Sequence, residues 1–116
     1  MILVINSAVT AISSEQIAEF CRRWSVRQLA VFGSALRGNF RPDSDLDIMV
    51  TFAPDANPSL FDHVEMQLEL ERLFSRKVDL ISRRALEQST NRLFKNEILT
   101  TAQVLYPANE TTDAAR

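Results

Sequence analysis

Cysteine occurs once in the 116 residues, at Cys21, so no internal disulfide can form and a cysteine-rich metal site is excluded. Cys21 falls on the apolar side of a helical pattern, where a buried small hydrophobe is expected rather than a reactive thiol. Glycine is scarce at two and proline at four, and neither recurs periodically, which rules out fibrous and low-complexity architectures. No apolar run approaches the ~20 residues of a membrane span. Residues 1–5 lack the basic start and the long apolar core of an export signal, so a cytoplasmic location without membrane contact is expected. Positive charge is not in excess either. The net charge is -2 and the pI about 5.4, so a nucleic-acid strand meets no general attraction and no direct nucleic-acid partner is expected. What remains is an ordinary globular composition, 46% hydrophobic, at a length that suits one domain burying roughly two thirds of its unfolded surface.

Hydrophobic periodicity divides the chain into alternating helices and strands. The apolar residues 2–5 fit a short strand or a loose end equally well. Ile17, Phe20, Cys21 and Trp24 recur at helical spacing, which predicts a first helix over about 14–24 with Trp24 in the core. Leu29, Ala30, Val31 and Phe32 form a continuous apolar run stopped by Gly33, the pattern of a buried strand. From position 45 to 52 the alternation is strict: Leu46, Ile48, Val50 and Phe52 take one side, Asp45, Asp47, Met49 and Thr51 the other. A loop containing Pro54 and Pro58 follows, and Ser59 with Asp62 then opens a helix predicted to reach about residue 75. A third strand over 77–81 turns Val78 and Leu80 one way and Asp79 the other. A last helix is predicted through about residue 101, before a brief strand at 104–106 that packs Tyr106 and stops at Pro107. Residues 108–116 hold no apolar side chain larger than alanine, so a mobile tail is expected after a domain of residues 1–107. This order of elements predicts an α/β (α+β) fold, a mixed β-sheet with helices mainly on one face.

The chemistry concentrates in Gly33-Ser34, ten intervening residues, and Asp45-Leu46-Asp47. Side chains two apart on a strand leave the same face about 6.6 Å apart, so Asp45 and Asp47 can converge on a pair of metal ions. Two cations roughly 3.5–4 Å apart clamp the attacking and leaving oxygens of an in-line phosphoryl displacement. Carboxylates with no nearby histidine or cysteine favour Mg²⁺ over zinc. Asp79 points off the apolar side of its own strand and supplies a third carboxylate if the two strands are neighbours. Three such acids repel unless cations are bound, and a sheet face carrying them is not expected to serve as core. Gly33 permits close approach of backbone to ligand, while Ser34 offers a hydroxyl and an N–H, the ingredients of a triphosphate grip. Arg37 and Arg41 in the linker, and Arg83 or Arg84 beyond the third strand, are further candidates for phosphate oxygens. His63, on the helix after the proline-bearing loop, is expected at the surface.

With Asp79 on a later strand, this pattern closely resembles the minimal nucleotidyltransferase family of the DNA polymerase beta-like superfamily. The resemblance covers residues 27–82 in motif, and the filler at 35–44 also looks like the family's. It implies a nucleotidyltransferase fold in which Gly33 and Ser34 bind the nucleoside triphosphate and Asp45 and Asp47 ligate Mg²⁺. Asp79 would complete the two-metal site and help activate the acceptor hydroxyl. The reaction implied is transfer of AMP from ATP with pyrophosphate leaving. Members of the family are commonly antitoxins that silence a helical HEPN-type RNase toxin by adenylylating a tyrosine, which implies a hetero-oligomer with such a partner.

The helix at 59–75 carries more apolar surface than one sheet can cover. Leu60, Phe61, Val64 and Leu68 fall in one sector, Met66, Leu70, Leu73 and Phe74 in another. Cover by a further helix of the same domain is expected, with a second protein as the alternative. Two other functions compete with protein adenylylation. One is a binding module that neutralises its partner by occlusion, against which the intact acids argue. The other is a small-molecule (antibiotic) nucleotidyltransferase, against which the lack of length for an acceptor domain counts.

Overall fold

In the computed structural model, which describes residues 2–3, 12–33 and 45–107, the apolar start forms β1 (Ile2–Leu3), paired antiparallel with β2 (Ile12–Ser13). Helix α1 (Ser14–Arg23) follows at once, nearly as the apolar spacing predicts. A turn at Ser25, in the left-handed region with φ 57°, leads into β3 (Val26–Phe32). Then come β4 (Leu46–Phe52), α2 (Leu60–Phe74), β5 (Val78–Ser82), α3 (Arg83–Glu87), α4 (Arg92–Thr101) and β6 (Gln103–Tyr106). The segment predicted as a mobile tail, 108–116, lies outside the described residues.

The main sheet has the order β5-β4-β3-β6. Strand β3 runs antiparallel to both neighbours, whereas β4 and β5 are parallel and joined through α2, so the sheet is mixed, as expected. On one face, Ile17, Phe20 and Cys21 of α1 and Met66, Leu70 and Phe74 of α2 pack against Leu29, Val31, Leu46, Ile48 and Val50. Val26 joins this cluster out of strand parity because a bulge between Val26 and Gln28 turns it inward. Trp24 packs on the edge of the same cluster, half-buried, with Nε1 donating to Glu69 Oε1 at 3.0 Å, and Tyr106 packs there too.

The opposite face departs from expectation. Leu86 of α3 and Ile98 of α4 close over Ala30, Phe32 and Met49, so much of the face that bears the acids is core. Alternation in β4 could not reveal this, because methionine and the flanking polar residues leave the middle of that face unassigned. The last helix is also two helices rather than one. Ser82 caps α3 by accepting from Ala85 N, and Asn91 caps α4 by accepting from Phe94 N at 3.0 Å. The polar run of residues 88–91 supplies the Asn91 cap and breaks the helical stripe.

Helix α2 opens with the capping box expected at Ser59 and Asp62: Asp62 N donates to Ser59 Oγ at 3.1 Å and Ser59 N to Asp62 Oδ2 at 2.9 Å. Its buried residues follow the second of its two apolar sectors. The first is not covered: Leu60 is 78% and Phe61 83% exposed, which overturns the expected intramolecular cover among the described residues. Two helices already fill that side of a four-stranded sheet, leaving no further helix among the described residues to reach it.

A row of polar side chains on α2 does what periodicity alone did not suggest. His63, Gln67 and Glu71, at i, i+4 and i+8, reach the outer edge of β5. Glu71 Oε2 accepts from Val78 N at 3.0 Å, Gln67 Oε1 from Leu80 N at 3.4 Å, and His63 Nε2 lies 3.1 Å from the Leu80 carbonyl. A carbonyl only accepts, so Nε2 carries the proton. His63 is therefore half-buried and structural rather than a surface residue. The three contacts satisfy an edge strand that would otherwise invite pairing with another chain, and they hold the strand that bears Asp79.

Candidate active site

Register across three strands assembles the site. Phe32 of β3 stands beside Asp47 of β4, and Asp47 stands beside Asp79 of β5. Neighbouring strands lie about 4.8 Å apart, so the two aspartates share one face at the separation of adjacent strands. Leu46 and Ile48 pair with Val78 and Leu80 on the buried face, which forces the intervening aspartates outward together. Helix α2 and its three edge contacts fix the position of β5, and hence of Asp79.

Gly33 follows directly after Phe32, with φ +78°, a conformation that side-chain-bearing residues rarely adopt. A β-carbon at Gly33 would lie 2.3 Å from Asp47 Oδ2 and 3.1 Å from its Cγ. Glycine is thus demanded twice, by backbone geometry and by the carboxylate beside it. Gly33, Asp47 and Asp79 form the polar side of a pocket of about 320 Å³, and Phe32, Ile81, Phe94 and Ile98 form its apolar side.

The other predicted site residues divide into three groups. Asp45 immediately precedes β4 and is exposed; Leu46 N donates to Lys77 O at 2.9 Å, but Asp45 does not line the pocket. Among the described residues no three His, Cys, Asp or Glu side chains gather closely enough to hold a metal ion, so the paired carboxylates are Asp47 and Asp79 rather than a convergent trio. Ser34, Arg37 and Arg41 lie outside the described residues. Arg83 and Arg84 are not at the acids: with Arg27 and Thr51 they line a separate pocket at the far end of β4, and Arg83 Nε pairs with Glu87 at 3.0 Å. The chain turns into α3 at Arg83, which carries both arginines away from Asp79.

Sequence reasoning missed Phe94 and Ile98 as pocket residues. Their i, i+4 spacing on the last helix was legible, but which sheet face that helix would cover was not.

A family model for the nucleotidyltransferase domain matches residues 13–105. The protein adenylyltransferase MntA of Thermococcus cleftensis is 31% identical to this chain over 99 residues, covering 85% of this chain and 98% of that protein. Among solved structures, a crystal structure of a toxin-antitoxin with AMP-PNP shares the fold with a TM-score of 0.62 at 21% identity, over 85% of this chain and 77% of the other. A tri-AMPylated Shewanella oneidensis HEPN toxin in complex with MNT antitoxin does so with a TM-score of 0.55 at 21% identity, over 80% and 68%. The matched span contains Gly33 and both registered aspartates, and it covers most of the chain. The chain belongs to the nucleotidyltransferase domain family and is a nucleotidyltransferase.

Proposed function

We propose that this nucleotidyltransferase transfers AMP from ATP to a tyrosine hydroxyl of a helical HEPN-type RNase toxin and thereby acts as its antitoxin in the cytoplasm. The observation that carries the reading is the register of Asp47 with Asp79 beside Gly33 in one pocket. The relatives support it, since MntA is a protein adenylyltransferase and the matched fold occurs in an antitoxin bound to an AMPylated HEPN toxin.

The donor set fits Mg²⁺: the pocket offers hard carboxylate oxygens and neither histidine nor cysteine. Asp47 and Asp79 would hold the ion, and Asp45, one residue ahead of β4, is proposed as a further ligand. When bound, the cation supplies charge neutralisation on the phosphates and a clamp on the reacting oxygens. The backbone at Gly33 lets a phosphate approach closely, and Ser34, Arg37 and Arg41 are proposed to hold the rest of the triphosphate. Asp79, facing the pocket from the adjacent strand, orients the acceptor hydroxyl and takes its proton. The acceptor oxygen then bonds to the α-phosphorus as the bond from that phosphorus to pyrophosphate breaks, and the proton passes on to water.

The test is incubation of the full chain with Mg²⁺, α-labelled ATP and the helical protein encoded beside it. Wild type should label a tyrosine of that protein, and Asp47→Asn and Asp79→Asn should abolish labelling without unfolding the chain. One observation favours a second reading, neutralisation by occlusion, namely the uncovered apolar sector of α2. Silencing of the partner that persists in Asp79→Asn would decide for occlusion and against catalysis.

A further inference from the structure

The acid pocket has an apolar half that phosphate chemistry does not use. Phe94 and Ile98 reach over from α4, and Ile81 lies two residues beyond Asp79 on the same strand and face. Phe94 both lines the pocket and is 43% exposed, so it is not sealed into the core. An exposed aromatic ring beside a charged site suits a flat aromatic ligand, which gains stacking and apolar contact at once.

Two rings take part in the proposed reaction, the adenine of ATP and the phenol of the acceptor. They differ in how far they stand from the reacting phosphorus. Adenine is separated from the α-phosphate by a whole ribose, whereas the phenol ring is bonded directly to the attacking oxygen. A pocket that puts Asp47 and Asp79 and the Phe94 ring within one space of about 320 Å³ matches the second case. We infer that Phe94, backed by Ile98, is the wall against which the acceptor's aromatic ring packs, and that it makes this enzyme prefer a phenolic hydroxyl over an aliphatic one. Stacked there, the ring presents its oxygen toward Asp79, which removes the proton as the new O–P bond forms and pyrophosphate departs. Serine or threonine offers the same oxygen without a ring and leaves the wall wet.

This inference rests on the adenylyl-transfer reading above, and the test separates the two. The full chain, loaded with Mg²⁺ and AMP-PNP, is titrated with N-acetyl-L-tyrosinamide and with N-acetyl-L-serinamide by NMR, and the affinity for AMP-PNP is measured alone. Wild type should bind the tyrosine amide more tightly than the serine amide. Phe94→Ala should weaken the tyrosine amide about tenfold, the loss expected from unstacking one ring, while AMP-PNP affinity stays unchanged. Phe94→Trp, which keeps an aromatic wall, should restore the preference, and thermal melts establish that each variant is folded. A Phe94→Ala variant that loses AMP-PNP instead would make the wall a nucleobase site and overturn the inference, as would equal binding of both amides by wild type. Failure of the underlying reading registers separately, as wild type that takes up no Mg·AMP-PNP.

Discussion

The α-carbon of Gly33 faces the Asp47 carboxylate so closely that a methyl group there would stand 2.3 Å from Oδ2. The turn that ends β3 and the acid that opens β4 are thus packed as one unit. Gly33→Ala should push the Asp47 carboxylate out of its place beside Asp79 and strain a backbone at φ +78°. We expect nucleotidyl transfer to fall by about a hundredfold, in line with misplacement of a reacting group, while stability drops by only ~1–2 kcal/mol. Initial-rate assays paired with denaturant melts check both; a variant with wild-type turnover would remove Gly33 from the site.

Glu69 is the hub of a small polar cluster on the outside of the core. Its carboxylate accepts from Arg23 and from Trp24 Nε1, and the Arg23 contact foremost holds it below the usual glutamate range. A depressed folded value means the stabilisation is complete above the ordinary glutamate range and is lost as pH falls through the depressed one. Glu69→Gln should cost about 0.5–1 kcal/mol at neutral pH, modest because Arg23 is half exposed. Denaturant melts across acidic pH should show the gap between variant and wild type closing on acidification.

Burial pushes the Cys21 thiol up to about 12, against a smaller opposing pull from Arg22. The thiolate is the nucleophile, so the native protein should resist alkylation at pH 8 and react only as fast as it unfolds. Iodoacetamide labelling followed by mass spectrometry, with and without denaturant, measures this directly.

Two phenylalanines on α2 should behave oppositely. Phe74 is fully buried, and Phe74→Ala should cost ~3–5 kcal/mol through lost contacts and a cavity. Phe61 is 83% exposed, and Phe61→Ala should change stability by no more than about 0.5 kcal/mol. Comparable losses in the two variants would mean that the Phe61 sector is covered in solution.

Glu71 closes the β5 edge through Val78 N. Glu71→Ala leaves that N–H without its partner and should destabilise the fold by about 1–2 kcal/mol. Hydrogen exchange at the Val78 amide should quicken more than at the inner-strand amide of Val31; unchanged protection at Val78 would refute the role of the α2 polar row.

Local pattern was enough for the parts of this protein that depend on neighbours in sequence. The strict alternation from 45 to 52 announced β4, the Ser59 and Asp62 pair announced the start of α2, and Gly33 announced the turn that ends β3. Those signals are local because strand pleat, helix caps and turn glycines are set by a few adjacent residues. Whether Asp79 would stand beside Asp47 could only be posed as a condition. Pairing register met it, since apolar residues on the buried face of β4 and β5 admit one alignment and a slip of β5 by one would turn Asp79 into the core.

Composition, periodicity and motif spacing by themselves determined an α/β chain with one buried thiol and a Gly-Ser pair ten residues ahead of an Asp-x-Asp. Tertiary packing alone decided that α3 and α4 cover part of the acid-bearing face, that Phe94 reaches the pocket, that Arg83 and Arg84 turn away from it, and that the Leu60 and Phe61 sector is left open. The reason is physical: an amphipathic pattern states how much apolar surface an element must hide, and only the arrangement of the other elements states where room exists to hide it.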